Sequence, residues 1–214
     1  SQLDMTSAYS VKEEMYGTHG AEISTQKADS FASSYAVSSG NMSLEGVAIS
    51  DTTKAGLFDL DHGSVMFAQN IHEKSYPASI TKIMTALLAL ENSNLDDQVT
   101  FTEECLADQT SDSGNIGMQV GEVLTMRQCL LALMIRSAND VATQIAVQIA
   151  GSVAAFADMM NQRAQELGCV NTHFVNASGM PDENHYTTAH DMALIMREGL
   201  KNKKFRKIIG ITDY

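Results

Sequence analysis

Tryptophan is absent from this sequence, aromatic residues make up only 6% of it, and it holds two prolines and three cysteines. Cations are scarce as well: 14 Lys and Arg face 26 Asp and Glu across 214 residues, leaving a net charge of -12. A nucleic-acid binder would carry a basic stripe. Here Lys and Arg are scattered until a small cluster at Lys201–Lys207, so no nucleic-acid partner is expected. Long hydrophobic runs are missing too. Ile83–Leu90 and Cys129–Ile135 fall far short of the roughly 20 residues a membrane span needs, so no membrane anchor is expected within this chain. No charged-then-apolar leader opens it, which fits an export signal already removed or lying outside it. Cys105, Cys129 and Cys169 form no C-x-x-C pair, which argues against a zinc knuckle or a thioredoxin-type site. Their odd number leaves at least one thiol unpaired within the chain, and buried structural thiols are the preferred reading.

What is present is ordinary globular material, with 44% hydrophobic and 19% charged residues, enough for one domain. Residues 1–40 are rich in Ser, Ala, Thr and Gly without an apolar period and read as a flexible tail; residues 41–214 form the domain. Val47–Ile49 and Ala55–Leu60 read as strands, and Asp61-His-Gly63 is a turn that lets Ser64–Phe67 pair back as a hairpin. After Tyr76-Pro77 the pattern turns helical. Ile83, Met84, Leu87, Leu88 and Leu90 mark one face of a helix beginning near Ser79. Thr125 with Gln128 predicts a capping box ahead of Leu130–Ile135. Asn139–Ala150 is expected to end at Gly151, a third helix runs from Ser152 to a Gly168 cap, and Thr188 with Asp191 predicts a capping box for Ala189–Leu200. A little sheet followed by a block of helices predicts an α+β or mixed α/β fold.

Ser79-Ile-Thr-Lys82 is the first candidate for chemistry. Alone it is weak, since about one Ser-x-x-Lys match arises by chance in a chain this long, and a Ser cap with a solvent-facing Lys is the plain alternative. At a helix start, however, residues three apart share a face, so the Lys amine can reach the Ser hydroxyl. The free N–H groups and positive dipole end of the helix can support an oxyanion. A lysine enclosed in an apolar cleft loses proton affinity and becomes a usable base. Ser137-Ala-Asn139 is the second candidate. It falls between two predicted helices, a junction that can push both side chains into a cleft, although caps would be the plain alternative.

The run Tyr76-Pro-Ala-Ser79-Ile-Thr-Lys82 through Glu91 resembles the nucleophile segment of the serine D-alanyl-D-alanine carboxypeptidases, relatives of the penicillin-binding proteins and serine β-lactamases. Ser137-Ala-Asn-Asp-Val-Ala142 is similar to that family's second motif, Gly121–Thr125 to its lead-in, and Asn171–Met180 with His185–Asp191 to a further stretch. The resemblance implies Ser79 as nucleophile, Lys82 as general base, Ser137 as proton relay and Asn139 as a substrate-amide ligand. It implies a β-lactamase/transpeptidase-like fold, an antiparallel sheet with a helical subdomain. It also implies a cell-wall stem peptide ending in D-Ala-D-Ala as substrate, β-lactams as covalent inhibitors, and a place in the cell envelope outside the cytoplasmic membrane. No cofactor is expected. A zinc site at His173, His185, His190 and Asp191 is weighed and set aside, because no compact ligand pair such as H-E-x-x-H occurs. Asn176 and Gly179 are read as turn residues and Thr188 and Asp191 as caps, none of them catalytic.

The family's third motif, Lys-Thr-Gly or Lys-Ser-Gly, does not occur. The chain is therefore expected to be the N-terminal part of a catalytic domain with an incomplete sheet, weakly active or inactive alone. Without a Glu-x-x-Leu-Asn run after Ser137, a β-lactamase is the less favoured relative. A non-catalytic module that binds peptidoglycan or a partner is the alternative from a different class.

Overall fold

A computed structural model describes residues 40–109 and 114–212, so the expected tail at residues 1–40 lies, but for Gly40, outside the described residues. The chain divides into two compact units, residues 1–70 and 71–214.

In the first unit, β1 (Ala55–Asp59) and β2 (Ser64–Gln69) form the predicted antiparallel hairpin, with a register shift between Leu57 and Phe58. Asp59 makes the turn: its Oδ1 accepts from the amides of Asp61 and His62, both at 3.0 Å. Alternation along β2 buries Val65 and Phe67 and exposes Met66. Val47–Ile49 is not a strand, contrary to expectation. Leu44–Val47 closes a turn, Val47 and Ile49 stay exposed, and the pairing opposite Ala68 goes to Met42 instead.

The second unit is mostly helical. A single 3-10 turn, Ala78–Thr81, leads into α1 (Lys82–Asn92). Then come α2 (Met126–Ile135), α3 (Asn139–Ala150), α4 (Val153–Glu166), α5 (Ala189–Lys201) and α6 (Lys203–Ile209). The Thr125/Gln128 capping box forms as predicted, with both side chains engaged. Gly151 closes α3 in the left-handed region at φ 81°, and Ser152 Oγ caps α4 on Ala155 N at 3.1 Å. A second two-stranded antiparallel sheet, β3 (Gln98–Thr100) with β4 (Val123–Thr125), has no counterpart in the sequence reading. At three residues each, these strands are too short to show a period. Helix α3 is the central element. Val141, Ala142, Ile145 and Ala146 on it are fully buried, and it packs on α1, α2 and α4. This puts the N-termini of α1 and α3 on one core. No single helix among the described residues is long and apolar enough to cross a membrane.

Arg163 on α4 ties three helices together. Its guanidinium reaches Glu91 on α1 at 2.8 Å, Glu198 on α5 at 3.1 Å and Glu166 at 3.2 Å. Burial acts upward on the Glu198 carboxyl, but Lys201 and Arg163 outweigh it and hold it below its usual range. Such a carboxyl stabilises the fold above its unfolded pKa, and that contribution is lost as pH falls through its folded value. Arg163→Met is expected to cost about 1 kcal/mol at neutral pH, since each partly exposed ion pair contributes a fraction of that. In urea titrations the gap between variant and parent should narrow in acid, and a gap that widens there would contradict the assignment.

Candidate active site

The turn Ala78–Thr81 presents Ser79 to solvent at the head of α1, while Lys82, three residues on, is 2% exposed. Lys82 Nζ lies 3.3 Å from Ser79 Oγ, 2.6 Å from Asn139 Oδ1 and 2.5 Å from the Ser178 carbonyl. An ammonium has three N–H donors, and these three acceptors use them all. Burial pushes the Lys82 ammonium down to about 8, against an opposing pull from Asp108. Once neutral, the amine has a lone pair free to accept from the Ser79 hydroxyl.

Ser137 and Asn139 stand where α2 hands over to α3, as the sequence predicts. Ser137 Oγ donates to Ser79 Oγ at 2.9 Å. Asn139 Oδ1 accepts from Lys82, while its Nδ2 rests 3.5 Å from the thioether of Met180, a weak acceptor. The four candidate residues Ser79, Lys82, Ser137 and Asn139 therefore come together in one cluster. A buried carboxylate secures its edge. Asp140, fully buried, accepts from the amides of Ile116, Gly117 and Met118 and from the Gln109 side chain. That strap brings Gly114 against the second motif, where its carbonyl accepts from Asn139 N at 2.8 Å.

The segment 171–191, read from sequence as purely structural, forms one wall of this cluster. Besides the Ser178 carbonyl on Lys82, the Ala177 carbonyl accepts from Thr85 Oγ1 at 2.7 Å. Gly179 has φ +86°, and a Cβ there would meet the Ala78 carbonyl oxygen at 1.9 Å and Ser79 N at 3.1 Å. The backbone is strained on the facing side too, since Ala78 (φ 48°) and Ser137 (φ 54°) are left-handed without being glycine. A backbone carbonyl carries no residue identity, so Ser178 left no signal. Gly179 could have been flagged as a site of close approach.

A hydroxyl flanked by an amine of lowered proton affinity and by a second hydroxyl is an arrangement for nucleophilic acyl transfer. The sequence profile of the peptidase S11 D-alanyl-D-alanine carboxypeptidases matches residues 39–213. The chain belongs to this family. The D-alanyl-D-alanine carboxypeptidase DacF of Bacillus subtilis is 34% identical over 168 residues, 76% of this chain and 42% of that protein. DacA of Haemophilus influenzae is 31% identical over 144 residues, 65% of this chain and 37% of that protein. Among solved structures, the D-alanyl-D-alanine carboxypeptidase DacD from Francisella tularensis superposes with a TM-score of 0.70 at 30% identity, over 78% of this chain and 41% of that one. The chain thus spans less than half the length of these relatives. The mixed α/β architecture is that of the carboxypeptidase and penicillin-binding structures; among the described residues of this chain there are two small antiparallel sheets and no closed sheet.

The remaining residues singled out in this family member have local partners. Thr188 Oγ1 caps α5 on Asp191 N at 3.0 Å, but Asp191 does not complete the predicted box. Its carboxylate turns to Asn171 N at 2.9 Å and Thr172 Oγ1 at 2.7 Å, bonds that tie α5 to the loop before it. Burial raises the Asp191 carboxyl, yet these bonds and His190 bring it below its usual range. His173 Nδ1 faces the Asn184 carbonyl at 2.6 Å. All three cysteines are free and buried, and burial pushes each thiol up, Cys129 to about 12.

Gly179→Ala tests the close approach. The variant should lose at least about 2 kcal/mol of stability, from the left-handed φ plus the clash with Ala78. A thermal or urea melt equal to the parent would show that the wall is not tightly set.

Proposed function

We propose that this chain carries the acylating half of a serine D-alanyl-D-alanine carboxypeptidase of the bacterial cell envelope, acting outside the cytoplasmic membrane. One observation supports it most: Ser79 Oγ stands 3.3 Å from Lys82 Nζ and 2.9 Å from Ser137 Oγ. In this reading neutral Lys82 takes the Ser79 proton as Ser79 Oγ attacks the carbonyl between the two D-alanines of a stem peptide. N–H groups at the head of the turn support the oxyanion. The tetrahedral intermediate collapses by breaking the peptide C–N bond, and the proton that Lys82 took reaches the leaving amine of D-alanine by relay through the Ser137 hydroxyl, which gives up one proton and regains another, so that Lys82 is neutral again. Asn139 Nδ2 exchanges the Met180 sulfur for a substrate amide carbonyl, a stronger acceptor. Water then hydrolyses the ester, with Lys82 again assisting. A β-lactam would enter by the same attack and leave slowly.

The test is β-lactam labelling of the intact protein that carries this chain, read by mass spectrometry. One adduct on Ser79 is expected, and Ser79→Ala should take none. No adduct on the parent would favour a non-catalytic wall-binding module. Lys82→Met should slow acylation by roughly 10²–10⁴-fold, the range for loss of a general base. Because the base must be neutral and its pKa is lowered to about 8, the acylation rate should climb as pH rises through about 8 and level off above. A rate that is flat from pH 6 to 9 would remove Lys82 from that role.

A further inference from the structure

We propose that His185 is a positioning residue for Ser79, acting through the hydroxyl of Thr81; this rests on the acyl-transfer reading above. Thr81 lies in the turn between Ser79 and Lys82 and is fully buried, as is all but 2% of His185. His185 Nε2 is 2.8 Å from Thr81 Oγ1. On the other side of the ring, Val175 N donates to Nδ1 at 3.0 Å, so Nδ1 is the acceptor and Nε2 carries the hydrogen. The imidazole therefore donates to the Thr81 hydroxyl. Burial lowers the ring to about 4, against Asp182 and helped by His173, which keeps this neutral tautomer at ordinary pH.

The turn depends on an outside support. Neither Pro77, its N-cap, nor Thr81, the N-cap of α1, makes a side-chain capping bond. Thr81 itself is helical, at φ -47° and ψ -37°, as the last residue of the 3-10 turn, so its hydroxyl is not placed to cap the helix's own amides. Here that hydroxyl faces His185 instead, next to an Ala78 held at φ 48°. His185 is anchored in turn. The His173–Tyr186 pair, at 2.8 and 3.0 Å, closes the loop it sits in, and the Ser75–Thr187 pair, at 2.8 and 2.9 Å, joins that loop to the approach to the turn. The same loop carries the Ser178 carbonyl on Lys82. One imidazole thus sets the Ser79 turn against the loop that aims Lys82. Loss of that setting should slow the chemical step rather than binding, because small misplacements of reacting atoms are costly.

The experiment measures the acylation rate constant and the non-covalent dissociation constant of a chromogenic β-lactam separately. It uses the intact protein well below its melting temperature, with circular dichroism as the folding control. Thr81→Val, nearly isosteric, and His185→Ala should each lower the rate constant by roughly 10–100-fold with the dissociation constant unchanged. Thr81→Ser, which keeps the hydroxyl, should recover most of the rate, and His185→Gln, which keeps a donor near Nε2, part of it. The double variant Thr81→Val/His185→Ala should be no slower than the slower single variant. If His185→Ala does not fold, the Thr81→Val and Thr81→Ser pair decides. Folded Thr81→Val acylating at the parent rate, or single effects that multiply in the double variant, would overturn the proposal alone. A parent that takes no label overturns the functional reading and this proposal with it.

Discussion

The Lys82 amine gathers three separated stretches of chain at one nitrogen: its own turn through Ser79, the head of α3 through Asn139, and the 171–191 loop through the Ser178 carbonyl. Placing a cation there is unfavourable, because almost no water reaches it. Three well-placed acceptors offset part of that cost, and the remainder appears as a lowered proton affinity. The structural joint and the chemical property are therefore one thing. An amine held loosely enough to be solvated would keep its proton, and one held without acceptors would not be tolerated.

Around that joint the backbone carries strain that the flanking helices can bear. Ala78 and Ser137 are both left-handed, and each abuts a glycine that comes too close for a side chain: Gly179 at Ala78 and Gly114 at Ser137. The support lies in what is rigid nearby. Helix α3 is buried all round over its first two turns, Asn139 to Ala146, and Asp140 in the first of them collects amides from the strap that carries Gly114. Strain persists at a functional site only where the surroundings over-determine it.

Much of this was legible in the residues. Caps at Thr125, Gly151 and Ser152 place their helices correctly because they are local devices with a fixed geometry. Ser79, Lys82, Ser137 and Asn139 could be picked out because spacing and helix boundaries put them at two helix heads. Less visible were features set by distant partners. Val47–Ile49 has strand composition, yet the bridge beside the hairpin is made by Met42 opposite Ala68, and the short β3 and β4 exist only through each other. Asp191 has capping spacing, yet a stronger demand from Asn171 and Thr172 claims its carboxylate. Above all, the acceptor from Ser178 is main chain, which any residue could supply.

The three sealed sulfurs have a practical meaning. Cys105, Cys129 and Cys169 lie in the core with their thiols held protonated, and alkylation and oxidation both proceed through the exposed thiolate. In the folded state the native chain is therefore silent to maleimides and similar electrophiles. A cysteine introduced on an exposed surface would be the one reactive handle, so a fluorophore or spin label could report on the Ser79 turn without first stripping the protein of its own sulfur.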